Sequence, residues 1–415
     1  MERKVIQVEE RPPLLMNIPL SIQHLFAMFG STVLVPFLFG INPTTCLFMN
    51  GIGTLLYIFL TKGKIPSYLG SSFAFISPVL MILSTSAYTD AQSGFIVFGL
   101  LFMLFSIIIH YTGTGWIDII FPPAAMGAII AVIGLELAPV AANMAGLTGD
   151  NIQFNNIAVS MFTLAVGIIG SVAFRGFMSI IPILFGVICG YVFAAFMGMV
   201  NFQPVIDAPW FQLPHFSTPT FNFNAIMVIA PAALVVLAEH IGHLVVTGNI
   251  VERNLIKDPG LSRSLFADGL SNVISGFAGA TPNTTYGENI GVMAITKVYS
   301  VWVIGGAAVM AIMLSFIGKL SELIHSIPVP VMGGICILLF GVIAASGIRV
   351  LVEQHVDYSK SSNLVMTSVV MIIGLSGAKI SFGAFSVQGM VLATLVAIIM
   401  SLLFRIFEKM GLLNE

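Results

Sequence analysis

Apolar runs long enough to cross a bilayer follow one another along the chain, separated by short polar breaks. A membrane-spanning helix needs about 20 mostly apolar residues. On that measure the pattern predicts spans near 18–38, 44–61, 71–85, 93–110, 116–136, 157–174 and 179–199. A second set follows near 223–246, 261–277, 281–296, 299–318, 328–346, 363–377 and 386–407. The expected fold is therefore all-α and polytopic, with fourteen transmembrane segments. The charged residues 2–11 precede a first apolar run without a small-residue cleavage site, so that run reads as a retained span rather than a removed signal peptide.

Two of these runs break the pattern. Pro66 to Phe73 and Thr281 to Glu288 place polar, Gly- and Pro-containing sequence where a spanning helix should be apolar. Unpaired backbone in lipid costs several kcal/mol per group, so such stretches survive only inside protein or along a cavity. The β-branched pair Thr284 and Thr285 beside Tyr286 predicts a short extended segment. Two crossing segments at the midplane, in spans 3 and 10, are expected to pair as short antiparallel strands. Seven spans per half is an odd number, so any repeat of the halves is inverted. Its traces are Pro122-Pro-Ala-Ala-Met126-Gly127 against Pro328-Val-Pro-Val-Met332-Gly333, and Asn42-Pro43 against Asp258-Pro259. Paired interrupted segments in matching places of two halves are a sequence pointer to a transporter's substrate site.

Composition agrees. Hydrophobic residues make up 57% of the 415 and charged residues only 8%, with a mean hydropathy of +1.02. A soluble domain carries about 25% charged residues, so a water-facing surface is excluded. The net charge of −2 sums over both sides of a membrane and says little. The distribution of charge says more, because Lys and Arg accumulate on the cytoplasmic side. With a cytoplasmic N-terminus, Arg3, Lys4, Arg11, Lys62, Lys64, Arg175, Arg253, Lys257, Arg263, Lys297, Arg349, Lys360, Arg405 and Lys409 fall inside, and only Lys319 and Lys379 outside. Both termini are then cytoplasmic. The three cysteines, Cys46, Cys189 and Cys336, lie far apart in apolar runs and read as free, buried thiols; no metal spacing is present. No phosphate loop appears, which argues against ATP-driven transport within this chain. Neither a cofactor nor nucleic acid is called for.

Acids at mid-span are costly, about 2.5–3.5 kcal/mol each, and four qualify: Glu136, Glu239, Asp268 and Glu288. Glu239 and His243 are four apart and share a helical face; a His beside a carboxylate can shuttle a proton, or the pair merely ties helices together. His240 points off that face and reads as a packing or hydrogen-bonding residue. Glu288 follows Gly287 at the start of a half-helix, where it either caps free N–H groups or faces a cavity. His24 and Phe73 are 49 apart, as are Glu239 and Glu288. The four thus hold equivalent places in the halves and are expected to converge. Phe73 is either a stacking platform or core packing; His24 is a substrate or proton group, or a buttress. Glu136 reads as structural, at the outer end of its span. Asp268 is expected to pair with Arg263 or a neighbouring amide. Asn283-Thr-Thr matches a glycosylation sequon at a depth that makes it irrelevant.

At this point the residues resemble a family. Glu288-Asn289-Ile-Gly291-Val-Met-Ala-Ile-Thr296-Lys297 is similar to the signature of nucleobase–ascorbate transporters, and Gln23-His24 to their first-span Gln-His element. Pro231 to His243, Thr281 to Asn289 and Gly70 to Pro78 look like the uracil-transporting, proton-coupled branch. The resemblance runs from Arg11 beyond Arg405. It implies a core domain, residues 1–110 and 223–326 (spans 1–4 and 8–11), and a gate domain, residues 111–222 and 327–415 (spans 5–7 and 12–14). It also implies a homodimer in the bacterial inner membrane and an elevator-like movement. Carried over by position, Glu239 and Glu288 hold the base, and His243 hydrogen-bonds Glu239 in proton coupling, with His24 a further proton candidate. Phe73, Tyr286 and the Gly287 backbone line the pocket, and Ser31 stands where the uracil branch has Ala. Phe340 replaces a Tyr and Asp268 an amide. An acid at 288 favours uracil; a purine permease for xanthine or urate is the alternative within the family, and a membrane-embedded enzyme a remote one.

Overall fold

The computed structural model describes residues 5–149, 152–382 and 385–413; Arg3 and Lys4, counted above on the basic side, lie outside the described residues. The chain opens with α1 (Leu14–Ala27), breaks at Met28, and continues as α2 (Phe29–Phe39) to a left-handed Gly40. Then α3 (Pro43–Leu60) starts on Asn42, whose Oδ1 accepts the Thr44 N–H at 2.9 Å with Pro43 in the first turn. Next come β1 (Leu69–Ser71), one 3₁₀ turn (Phe73–Phe75), and α4 (Ile76–Leu83). The long α5 (Tyr88–Thr112) and the single turn α6 (Ile117–Ile120) follow. Another broken pair is α7 (Pro123–Glu136) and α8 (Ala138–Met144). After it lie α9 (Phe154–Ala173), α10 (Pro182–Phe196) and the short α11 (Gln203–Asp207).

The second half begins with α12 (Phe223–Ile229) and α13 (Ala232–Ile250), separated by Ala230-Pro231. It continues through α14 (Leu261–Ala278), β2 (Asn283–Thr285), α15 (Gly287–Thr296), α16 (Val301–Leu314) and α17 (Gly318–His325). It closes with α18 (Val329–Glu353), α19 (Ser361–Leu375), a hairpin of β3 (Lys379–Phe382) and β4 (Phe385–Gln388), and α20 (Gly389–Lys409). Among the described residues, eight helical stretches are long and apolar enough to cross a membrane, and four shorter apolar helices accompany them. This is a mostly helical polytopic membrane protein.

The expected strand pair is present. β1 and β2 run antiparallel, with Leu69 opposite Thr285, Gly70 opposite Thr284 and Ser71 opposite Asn283. Both P-x-x-x-M-G strings open helices, with Pro122 and Pro328 as the extended residues before α7 and α18. Boundaries differ elsewhere. The apolar run near 386–407 begins with strand β4, because Ser386 to Gln388 pair with residues 379–381 and the helix starts at Gly389. The connection at 200–222 contains α11. The thiols are free, but Cys189 is only half-buried.

Side-chain size sets how the helices pack. A Cβ on Gly99 of α5 would stand 2.6 Å from the Gly269 carbonyl oxygen of α14, and one on Gly269 would stand 2.6 Å from that of Gly99. Small residues let membrane helices approach until their backbones touch. The most extensive contacts join α5, α14, α3, α16 and α1 in one set, and α7, α18, α9, α10, α19 and α20 in another. Helix α13 touches both, lying against α5 and α14 on one side and α7 and α20 on the other.

Candidate functional site

The site is built where two half-helices start from paired strands. Ser72 accepts the Ala74 N–H at 3.4 Å below β1, and its own N–H donates to the Pro282 carbonyl at 2.9 Å. On the opposite side Tyr286 is the extended residue before α15, and its N–H donates to the Tyr68 carbonyl at 3.1 Å. The Tyr286 ring lies on Gly70, where a Cβ would come within 2.2 Å of it. Its hydroxyl donates to the Ser71 carbonyl at 2.9 Å. The first N–H groups of α15 have no intrahelical acceptor and sit at the positive end of its dipole. Glu288 lies in this first turn, and the Tyr286 side chain before it makes no capping bond.

Helix α13 lays Glu239 and His243 against this junction. A Cβ on Gly287 would be 3.2 Å from His243 Nε2, which places the imidazole over the start of α15. The hydrogen bond implied between His243 and Glu239 is replaced: His243 Nδ1 pairs with Thr285 Oγ1 at 3.2 Å. The strand register turns Thr285 toward α13 and captures the ring. Glu239 Oε2 is buried with no hydrogen-bond partner, and Glu239 and Glu288 lie within electrostatic reach of each other. Buried polar atoms are paired in the great majority of cases, so an orphaned carboxylate oxygen marks a place where something else supplies the donor.

The remaining residues fall around this centre. Phe73 meets Phe340 of α18 edge-on, with ring centroids 6.0 Å apart and planes at 84°, so position 340 does face the site. His24 is buried behind α15: Asn289 Nδ2 donates to its Nδ1 at 3.1 Å and to its carbonyl at 3.2 Å. Asn289 Oδ1 and Gln23 Oε1 are buried without partners. Ser31 is buried, its hydroxyl donating to the Met28 carbonyl at 3.4 Å. Gly291 has open space where a Cβ would go. The Thr296 hydroxyl donates to the Val292 carbonyl at 2.8 Å, and Lys297, with φ of 60°, ends α15. The last two residues of the signature thus terminate the half-helix.

Two acids resolve differently. Asp268 does not reach Arg263. Its Oδ2 meets His240 Nδ1 at 2.9 Å and its Oδ1 accepts from Asn272 at 2.9 Å, the amide being one turn along α14. His240 Nε2 continues to Ser264 at 2.7 Å, and Ser264 to Tyr57 at 2.6 Å. Asn272 also brackets β2 through the Asn283 N–H and carbonyl. Glu136 accepts from Ser77 of α4 and from the Met390 N–H at the start of α20, both at 2.9 Å. Asn272 is the neighbouring amide expected beside Asp268; Thr285 signalled a strand and not a partner for His243, and Ser77 carried no signal, since Ser in an apolar helix is ordinary.

A cavity of about 170 Å³ opens one turn beyond Glu239, lined among others by Ile241, Gly242 and Val245 of α13, Asp118, and Glu353 of α18. The opposite approach, at Ser77, Glu136 and Met390, leaves about 10 Å³.

A buried site between broken helices is the arrangement of a membrane transport protein, and the relatives are permeases rather than enzymes. Residues 16–383 match the Permease family, and the chain belongs to that family. It is 63% identical to the uracil permease of Escherichia coli (strain K12), over 98% of this chain and 96% of that one. It is 62% identical to that of Paenibacillus larvae over the full length of both, and 48% to that of Bacillus subtilis over 92% and 91%. In fold it resembles the murine anion transporter Slc26a9 in its inward-facing state (TM-score 0.70, 12% identity, 96% of this chain and 69% of that one). In another structure of SLC26A9 the match spans 66% of that chain. The transmembrane domain of the cyanobacterial bicarbonate transporter BicA matches over 96% and 100%, with a TM-score of 0.63 at 12% identity.

Proposed function

We propose that the chain imports uracil by proton symport across the bacterial cytoplasmic membrane, through fourteen segments arranged as two inverted seven-span repeats. The observation that carries this reading is the buried, unpartnered Glu239 Oε2, near Glu288 and beside the start of α15. Uracil is flat and neutral, with two N–H donors and two carbonyls. Glu239 and Glu288 accept from the N–H groups, the Gly287 N–H at the start of α15 donates to a carbonyl, and Phe73 covers the ring, with Tyr286 and Ser31 shaping the wall. The names and high identity of the relatives support uracil as the solute.

The core domain comprises residues 1–110 and 223–326, and the gate domain residues 111–222 and 327–415. The separation of helix contacts into two sets supports this division. The basic face carrying Lys360, Arg405 and the open cavity is cytoplasmic, with both termini on it, and the conformation is inward-facing. The core moves against a gate held in a homodimer. A proton on Glu239, exchanged with His243, removes the buried charge before the loaded core moves; His24 steadies Asn289 and, through it, the turn bearing Glu288. A potential of about 100 mV supplies about 2.3 kcal/mol per charge, enough for roughly fifty-fold accumulation.

Purified protein in liposomes tests the reading. An inward acid gradient is expected to drive uptake of labelled uracil, competed by 5-fluorouracil and not by xanthine. Uptake indifferent to the gradient removes the symport, and strong inhibition by xanthine moves the solute to the purines. By calorimetry, Glu288→Gln is expected to lose uracil binding, and unaltered affinity takes Glu288 out of the site.

A further inference from the structure

A second concave region lies away from the transport site, on the lipid-facing side where α3 packs on α16. It is a groove of about 580 Å³, lined by Leu55, Ile58 and Lys62 at the end of α3, and by Trp302, Gly305 and Val309 of α16. One end is apolar and the other cationic. Gly305 shapes the floor: a Cβ there would meet Ile58 Cδ1 at 3.8 Å and Leu55 Cδ2 at 3.9 Å, ordinary contact distances. Its missing side chain therefore leaves a furrow that helix packing does not require. Gly306 is the contrast, because a Cβ there would strike Ser21 Oγ at 2.3 Å.

The charged end is not self-neutralised. Glu9 lines it, but both carboxylate oxygens are taken by the Arg253 guanidinium. Lys64 is taken by Asp258 at 2.6 Å. Glu10 lies off the groove and accepts the Gln7 N–H. Arg11 stacks on Trp302 with Cζ 4.8 Å from the ring centre, and Lys62 is exposed at the groove's end. Among the described residues, Arg11 over the half-exposed indole and Lys62 at the groove's end thus remain without a carboxylate partner. Trp and Tyr settle at the headgroup level of a bilayer, and the apolar furrow runs from there toward its interior for two turns of α16.

We propose that this groove is a binding site for one anionic phospholipid, its phosphate held by Lys62 and Arg11 and one acyl chain lying in the Gly305 furrow. The charge complementarity excludes a zwitterionic lipid as the preferred occupant, and the single-ended polarity excludes a free phosphate. Each basic residue near the headgroups is expected to contribute about fivefold to the preference for an anionic lipid.

Trp302 reports occupancy directly, because the chain has three tryptophans and Trp116→Phe with Trp210→Phe leaves it alone. In vesicles, brominated phosphatidylglycerol is expected to quench Trp302 at several-fold lower mole fraction than brominated phosphatidylcholine. Lys62→Ala is expected to reduce that preference about fivefold, and Gly305→Leu to remove it. Equal quenching by the two lipids, or a preference intact in Lys62→Ala, overturns the proposal. Native mass spectrometry of the chain with all its tryptophans gives a second readout. One phosphatidylglycerol retained beyond phosphatidylcholine, and lost in Lys62→Ala, supports the site; no difference between the lipids refutes it.

Discussion

At the residue scale, the chemistry rests on polar atoms placed where water does not reach. Glu239 and Glu288 were legible in the sequence because an acid at mid-span is expensive enough to demand a reason. Their helper Thr285 was not, because a β-branched residue in a short strand already has one. Replacing it tests the difference: Thr285→Val keeps the shape but frees His243 Nδ1. This variant is expected to change the pH profile of uptake more than the affinity for uracil, measured in parallel by transport and calorimetry. The His240–Asp268 contact is a different case, buried on both sides. Breaking a buried pair by removing one partner costs about 3–5 kcal/mol. Asp268→Ala is therefore expected to lower the melting temperature in detergent strongly, and Asp268→Asn, which still accepts from His240, much less. At the surface, Arg253 holds the Glu9 carboxyl below its usual range by hydrogen bonding. A depressed acid stabilises above its unfolded pKa, and that contribution is lost as pH falls through the folded value. For so exposed a pair it is at most about 1 kcal/mol. Proteolysis of the N-terminal segment is accordingly expected to quicken on acidification, and to be pH-independent in Glu9→Gln.

At the scale of elements, interruptions were more informative than regular helices. Pro66 to Phe73 and Thr281 to Glu288 announced their strands through polar residues, Gly and Pro in apolar surroundings, and β1 pairs with β2. The β3–β4 hairpin gave no such notice. Val387 continues into the apolar run of α20, and a run of that kind does not reveal where strand ends and helix begins. The breaks at Met28 and Ala230-Pro231 inside the first and eighth apolar runs were equally silent. Helix–helix contact is set by residues with little hydropathy signature. Gly99→Leu is expected to force α5 from α14, where even a Cβ meets backbone at 2.6 Å. Overpacking usually costs about 1–3 kcal/mol, and thermal unfolding of the purified variant measures it.

At the scale of the whole molecule, one contact ties α4 to α7 and α20 on the face away from the larger cavity. Glu136, at the end of α7, receives Ser77 from α4 and the first turn of α20. The sequence placed it at the outer end of a span and read it as structural; it gave no sign of the partners, since neither a Ser in an apolar helix nor a backbone N–H can be read as a ligand. Glu136→Ala is expected to loosen that face. A cysteine placed at Val387, buried beside this contact, is then expected to react faster with a membrane-impermeant maleimide, and an unchanged rate refutes the role.

The pairing of β1 with β2 also fixes an order of events during synthesis. The two strands lie about 200 residues apart in the chain, and ribosomes add about 5–20 residues per second. For some tens of seconds the first strand waits in the bilayer with its backbone groups unmet. A nascent chain released before Asn283 has no way to finish its own interior, so truncated products are expected to be cleared quickly in pulse–chase labelling, while supplying the missing half as a separate polypeptide extends their lifetime.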